Sequence, residues 1–396
     1  FAGALVAAAL LAAATFAAPP PPAAPNAPVS KAPVSKAPVS KAPVPLGDAY
    51  RLLGRVQTPT VREISGLTAM GTTTDSRPTL LAVTDEGPYD RKTHTVDGTL
   101  FVITLRVDPK EGVALESVRP VTLAVTFDRF DPDWPGPVSP MDLESIAPLP
   151  GAEGLYLLGG ERNPEDQTDD GANRLYVVRY PAGSADRAEV VYRARLFDLP
   201  DDATNDRFEG VAALPAPAQP NDTGRAWDVF AFKERTAVEG HTPGYVHGRL
   251  VERSATFTLT VDGDRGYPPL VPFFLSRDPL RLSTQADACV APDGRLWILD
   301  RWRRQIHVAR PRRGSPPLEL QATLDFDDLV KDVPGEREEE GPAPPGLAAR
   351  TGYGRHEAIC FDGRGRLYLA TDRGRRSPST ITVLAPRTRR RAPDPR

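Results

Sequence analysis

Apolar residues along this chain fall in short runs rich in β-formers, separated by polar turns. The clearest unit is DACVAPDGRLWILDR, from Asp287 to Arg301. An acidic residue opens a short apolar run, Pro-Asp-Gly reverses the chain, and a second run ends in Asp300-Arg301. This pattern predicts a β-hairpin with charge at its open end. It returns from Glu357, where EAICFDGRGRLYLATDR closes on Asp372-Arg373, and from Glu144, where ESIAPLPGAEGLYLLGGER closes on Glu161-Arg162. Two looser copies follow the same plan. Glu209 opens EGVAALP and WDVFAFKER closes on Glu234-Arg235, while Glu63 opens EISGLTAM and LLAVTDEG closes on Asp85-Glu86, with glycine in place of arginine.

The openers stand at 63, 144, 209, 287 and 357, in steps of 65 to 81 residues. Such steps exceed a hairpin and suit a four-stranded blade with long loops. A third β-rich run follows each hairpin: GTLFVITLRV from Gly98, NRLYVVRY from Asn173, ATFTLTV from Ala255, QIHVA from Gln305 and STITVLA from Ser379. A fourth follows in the first four repeats, from Val121, Ala188, Tyr267 and Pro317. The last repeat lacks one, and AYRLLGRVQ from Ala49 stands unpaired ahead of the first. Lending that strand to the last blade closes the ring and covers two sheet edges. The expected fold is all-β, a β-propeller of five four-stranded blades, the last closed by the N-terminal strand. Six blades is the alternative if the segment from Asp128 to Met141 holds further strands.

Composition agrees with this class. In 396 residues, 44 prolines and 32 glycines punctuate the apolar runs, and 40% hydrophobic content is ample for a large core. A formal net charge of -3 supplies no global field to recruit nucleic acid or an anionic membrane. Residues 1–18, FAGALVAAALLAAATFAA, read as a secretory signal with a cleavage region at Thr15–Ala18, or as an uncleaved anchor. Residues 19–46, with the repeated APVSK, read as an extended tether to a cell envelope, residues 47–386 as the propeller and 387–396 as a basic tail. The expected location is therefore secreted, periplasmic or at the cell envelope, and the expected state a monomer. Cys289 lies two residues after its opener and Cys360 three after its own, so strand alternation places them on opposite faces, as buried thiols without a disulfide.

A hairpin returns to its starting end, so the openers and closers gather at one mouth of the central channel. Eleven acids meet there: Glu63, Glu144, Glu209, Asp287 and Glu357, backed by Asp85, Glu86, Glu161, Glu234, Asp300 and Asp372. Four arginines, Arg162, Arg235, Arg301 and Arg373, share the layer. Carboxylates in contact raise one another's pKa, so something must compensate. In one reading each arginine reaches the acid of a neighbouring blade and the ring is an ion-pair lattice. In the other, surplus carboxylates hold a hard cation such as Ca²⁺. His356, beside Glu357, is a general base at the ring or a hydrogen-bonded loop residue. The chain carries no G-x-S-x-G elbow, H-E-x-x-H helix, nucleotide-binding glycine loop or paired C-x-x-C.

The motifs EISGL at Glu63, DLESIAPLP at Asp142 and FEGVAALP at Phe208, with the Glu161-Arg162 and Glu234-Arg235 closers, resemble the phytase-like domain family, also described as esterase-like activity of phytase, and the related SdiA-regulated propellers. The resemblance spans about residues 49 to 386. It implies ester or phosphoester hydrolysis with calcium held by carboxylates at the channel mouth. The substrate would be a small ester or other anionic ligand. In that scheme Glu63, Glu144, Glu209 and His356 are catalytic, and Arg162, Arg235, Arg301 and Arg373 hold the substrate. Asp85, Glu86, Glu161, Glu234, Asp287, Asp300, Glu357 and Asp372 ligate the metal. No cluster of lysine and arginine suited to phytate itself is present. A tethered propeller that binds a ligand or protein without chemistry is the alternative.

Overall fold

The computed structural model of the chain describes residues 42–71, 76–84, 89–90, 93, 95–125, 142–161, 172–181, 186–198, 208–217, 224–233, 244–262, 267, 285–301, 304–330, 356–371 and 378–387. The apolar segment 1–18, most of the tether, the segment 128–141 and the basic tail beyond Arg387 lie outside these residues. Strand β1 (Val44–Pro45) and a 3₁₀ turn (Leu46–Asp48) precede β2 (Tyr50–Thr58). The first blade follows with β3 (Ile64–Ala69), β4 (Thr79–Thr84), the short β5 (Tyr89–Asp90), β6 (Thr95–Asp108) and β7 (Gly112–Ala124). The second holds β8 (Asp142–Pro148), β9 (Leu155–Glu161), β10 (Ala172–Arg179) and β11 (Arg187–Asp198). The third holds β12 (Phe208–Pro215), β13 (Arg225–Lys233), β14 (Tyr245–Arg253) and β15 (Thr256–Val261). The fourth holds β16 (Gln285–Val290), β17 (Leu296–Asp300), β18 (Gln305–Pro311) and β19 (Leu318–Asp325), with a single turn of helix, α1 (Asp327–Val330), after it. The fifth holds β20 (His356–Phe361), β21 (Leu367–Thr371) and β22 (Ser379–Pro386).

Each blade is an antiparallel meander, and the innermost strands β3, β8, β12, β16 and β20 pack side by side until β20 meets β3 again. That closed ring makes the fold a five-bladed β-propeller. The fifth blade is completed by β2, which pairs antiparallel with β22 from Tyr50↔Pro386 to Thr58↔Ser379, as the unpaired N-terminal run predicts. The propeller also reaches back into the segment expected to be tether. Val44 and Pro45 pair in parallel with Leu324 and Asp325 on the outer edge of the fourth blade, and Leu46 is fully buried. One third-blade expectation is corrected. Its third strand is β14, which lies before ATFTLTV, so that run forms the fourth strand; of the Tyr267 segment, Tyr267 bridges to Tyr245 and the rest lies outside the described residues. His247, Arg249, Glu252 and Arg253 of β14 obscured its alternation in sequence.

There is no single core. Five apolar layers each fill the gap between two neighbouring blades. Leu81 and Val83 meet Ile146 and Leu158 between the first and second, and Leu157 and Leu175 meet Val211 and Val229 between the second and third. Phe232 meets Ile298, Trp297 meets Ile359, and Tyr368 meets Leu67 across the other three gaps. Alternation gives each strand two apolar faces, which explains why the inner runs are continuously hydrophobic. Near the axis the layers thin to contact between backbones. A Cβ on Gly66 would lie 2.6 Å from Ser145 Cα and 2.8 Å from Ile146 N, and one on Gly210 would lie 3.0 Å from Asp287 Cα. Gly66→Ala is therefore expected to lower stability by roughly 1–3 kcal/mol through overpacking. Gly363→Ala, which meets open space, serves as the control. Equal urea midpoints for the two variants would contradict this close approach.

Candidate functional site

The mouth end of the ring is defined by a β-bulge that every blade repeats. Pairing between first and second strands slips by one residue between Ile64 and Gly66, Leu143 and Ser145, Phe208 and Gly210, Gln285 and Asp287, and His356 and Ala358. The extra residues are Ser65, Glu144, Glu209, Ala286 and Glu357. A bulge frees its residue from the ladder and re-aims the side chain. Three of the five expected ring acids, Glu144, Glu209 and Glu357, thus share one level. Glu63 and Asp287 do not, which corrects the expected symmetric ring. Glu63 stands two residues before its bulge with φ +53°, half-buried, and its carbonyl accepts from the Ser65 hydroxyl at 3.3 Å. Asp287 stands one residue after its bulge. Acidic identity in the sequence matched, but register did not.

Asp287 lies where the inner strands of the fourth, fifth and first blades converge. It is fully buried; Oδ1 accepts from the Ala288 amide at 2.8 Å and Oδ2 from the Ile359 amide of the fifth blade at 2.9 Å. The Leu67 amide of the first blade also donates to this carboxyl. Burial pushes its pKa well above the usual carboxylate range, opposed by the three amide donations. Its counterparts one residue after the bulge are Gly66, Ser145, Gly210 and Ala358, all small. One carboxyl therefore fills the space that the other four blades leave, and its oxygens are committed to backbone. This removes Asp287 from the expected metal ligands.

The mouth keeps Glu144 and Glu209, each 7% exposed, on the neighbouring strands β8 and β12. Two buried cations that sequence reasoning missed stand at neighbouring ladder positions: Lys233 pairs with Phe208, the residue before Glu209, and Arg174 lies across Gly160 from Leu143, the residue before Glu144. Lys233, 2% exposed, ends β13 and shares by alternation the face of Val229 and Ala231, which pack between the second and third blades. Arg174, 7% exposed, shares on β10 the face of Tyr176 and Val178, which pack between the first and second. The available signal was a cation at the end of a short apolar run, in FAFK and RLYVV. Arg301 pairs with Glu357 of the next blade, the one described link of the expected ion-pair lattice. Arg162, Arg235 and Arg373 lie outside the described residues, as do Asp85, Glu86, Glu234 and Asp372. The Glu161 backbone pairs with Asp142, and its side chain is likewise outside.

Asp300 and His356 turn inward. Asp300 is fully buried, with Oδ2 3.3 Å from His307 Nε2, while His307 Nδ1 lies 3.3 Å from Thr323 Oγ1. This polar row crosses the fourth blade from β17 to β19 and takes Asp300 out of the expected ligand set. His356 is fully buried against Phe326, ring centroids 5.5 Å apart, and its pKa is pushed down to about 3 by burial and by the charges of Arg304 and Arg55. An imidazole of that pKa is neutral and a poor proton acceptor near pH 7, which corrects its expected general-base role. Among the described residues no three acids, histidines or cysteines come together as a cation site, and of the eight expected Ca²⁺ ligands Asp85, Glu86, Glu234, Asp372 and the side chain of Glu161 lie outside them. Cys289 and Cys360 are free thiols that pair with Trp297 and Tyr368 respectively, so both face the following blade. The bulge positions, not the acidic openers, set that phase.

No family model and no curated protein sequence matches this chain. By structure it is similar to the GH43_1 enzyme from Xanthomonas citri complexed with xylose, at 14% identity over 84% of this chain and 90% of that one, with a TM-score of 0.38. It is also similar to the periplasmic gluconolactonase of Pseudomonas aeruginosa, at 13% identity over 77% of this chain and 64% of that one, TM-score 0.32. A third is the calcium-binding protein regucalcin from Agrobacterium tumefaciens, at 12% identity over 85% and 94%, TM-score 0.29.

Two stability measurements test the axial assignments. Asp287→Ala leaves buried amides of three blades without an acceptor and is expected to cost about 3–5 kcal/mol in chemical denaturation. A loss below about 1 kcal/mol would refute the hub. For His356, the unfolded chain takes up a proton near pH 6.5 that the folded chain takes up only near pH 3. Stability therefore falls as pH is lowered through that window, by up to about 5 kcal/mol from this group. His356→Leu should flatten the slope between those pH values, and parallel pH–stability curves for variant and wild type would contradict the neutral buried ring.

Proposed function

We propose that this protein is a propeller hydrolase of phosphate or carboxylate esters, working at the mouth end of its second and third blades. The observation that carries the reading is the pair Glu144 and Glu209, nearly buried on bulges of adjacent inner strands, with the buried cations Lys233 and Arg174 at the same level of the neighbouring ladders. Paired carboxylates can take the proton of an attacking water and return it to the departing alcohol. Cations beside them can hold the anionic group and the charge that develops on the attacked centre. The EISGL, DLESIAPLP and FEGVAALP motifs support the ester class through their phytase-like resemblance. The apolar run at 1–18 and the APVSK repeats support action outside the cytoplasm.

A second reading has its own support. Arg301 already neutralises Glu357, and Asp287 and Asp300 are absorbed by the fold, which favours a mouth that binds a polar ligand without turning it over. The two readings separate in one experiment. The purified chain is assayed on aryl phosphate and aryl carboxylate esters, with and without calcium, beside Glu144→Gln and Glu209→Gln. The hydrolase reading expects turnover that falls about 100-fold or more in at least one variant, as loss of a general base does. Turnover that both variants retain in full would sink it. A ligand that raises the melting temperature while no ester is cleaved would leave the binding reading.

A further inference from the structure

The opposite end of the propeller carries a cleft of about 420 Å³ between the fifth and first blades. Three guanidiniums line it: Arg51 from β2, and Arg364 and Arg366 from the turn between β20 and β21. Leu53, Val107 and Pro386 are among its apolar walls. The volume suits one small organic molecule. Every element lining it ends or begins far from the bulges, so this cleft is separate from the mouth.

The turn that presents two of the arginines is locked in place. Asp362, 4% exposed, accepts at Oδ1 from the Arg364 and Arg366 amides at 2.9 and 3.0 Å. At Oδ2 it accepts from Arg366 Nε at 2.5 Å and the Tyr368 hydroxyl at 2.8 Å. Arg366, 7% exposed, is thereby held rigid at the cleft wall, and a preorganised guanidinium loses little freedom on meeting an anion. Asp108 also lines the cleft, but its Oδ1 caps the Lys110 and Glu111 amides at 2.7 and 3.1 Å. Among the described residues both nearby carboxylates are thus engaged in holding backbone turns, and three cations stand against those two. Arg51 stands opposite Ala385 in the β2–β22 ladder and is exposed, as is Arg364, so both reach solvent at the rim.

We propose that this cleft binds a small amphiphilic organic anion, a phosphate, phosphonate or carboxylate head on the arginines with an apolar body against the Leu53 and Val107 wall. Guanidiniums bind such heads through paired charge-assisted hydrogen bonds, and the apolar wall adds affinity that a bare ion does not gain. The probe is phenylphosphonate, whose carbon–phosphorus bond is not an ester and outlasts any hydrolase activity at the mouth. Calorimetric titration of the full chain is expected to show binding that is at least tenfold tighter than that of methylphosphonate, with no binding of benzyl alcohol. Arg51→Ala and Arg364→Ala, both rim substitutions, are each expected to weaken it at least tenfold with the melting temperature little changed. Glu144→Gln and Glu209→Gln are expected to leave it unchanged. No heat with phenylphosphonate, equal affinity for methylphosphonate, or wild-type affinity in both arginine variants would each overturn the proposal. Loss of binding in the two glutamate variants would assign the ligand to the mouth and overturn it as well.

Discussion

Five twisted sheets standing round one axis crowd hardest where their first strands converge, and that crowding sets the terms for the rest of the molecule. Gly66, Ser145, Gly210 and Ala358 keep side chains small at the closest level, where Gly66 leaves no room for a methyl group and Gly210 only a tight one. The fourth blade departs from this rule with Asp287, whose carboxyl accepts amides from three blades. A buried carboxylate is costly in isolation, and amide donors directed at it offset much of that cost. Because the donors belong to different blades, the interaction exists only when the ring is closed. Closure and burial of this one group therefore support each other.

The bulge just above that level divides the charge of the chain by function. Residues at the bulge leave the ladder at the mouth end, as Glu144, Glu209 and Glu357 do, while residues one step further along turn into the gap between blades. A one-residue slip converts a mouth residue into a packing residue. That is the difference between Glu357, which meets Arg301, and Asp287, which meets backbone amides. Blades with Ser65 and Ala286 at the bulge add no charge at that position, so the described residues of the five bulges are not equivalent.

The outer edges are secured by pairing as well. The N-terminal strand β2 completes the fifth blade, and β1 clips the edge of the fourth. The first and second blades join through a short parallel ladder, Thr122↔Arg187 to Ala124↔Glu189, where Arg119 bonds Asp186 at 2.9 Å. Each of these covers strand edges that would otherwise offer open backbone groups to another chain. The same N-terminal closure brings Arg51 over the turn at Asp362 and so builds one wall of the arginine cleft.

The repeat was legible because each blade must bury two apolar faces, and a hairpin whose strands are continuously apolar stands out against polar turns. The count of blades and the lending of AYRLLGRVQ to the last one followed from strand arithmetic alone, since an unpaired strand and an incomplete blade have one economical solution. The role of each acid did not follow. Whether Asp287 or Glu357 faces the mouth depends on where a ladder slips by one residue, and a bulge leaves no mark in hydrophobic pattern. The burial that neutralises His356 comes from Arg304, Arg55 and Phe326, remote in sequence and adjacent only when the fourth and fifth blades meet. Local pattern thus determined the architecture, because strands and turns are local. Only the tertiary structure decided which charges serve the site, because desolvation and pairing are set by neighbours that other blades supply.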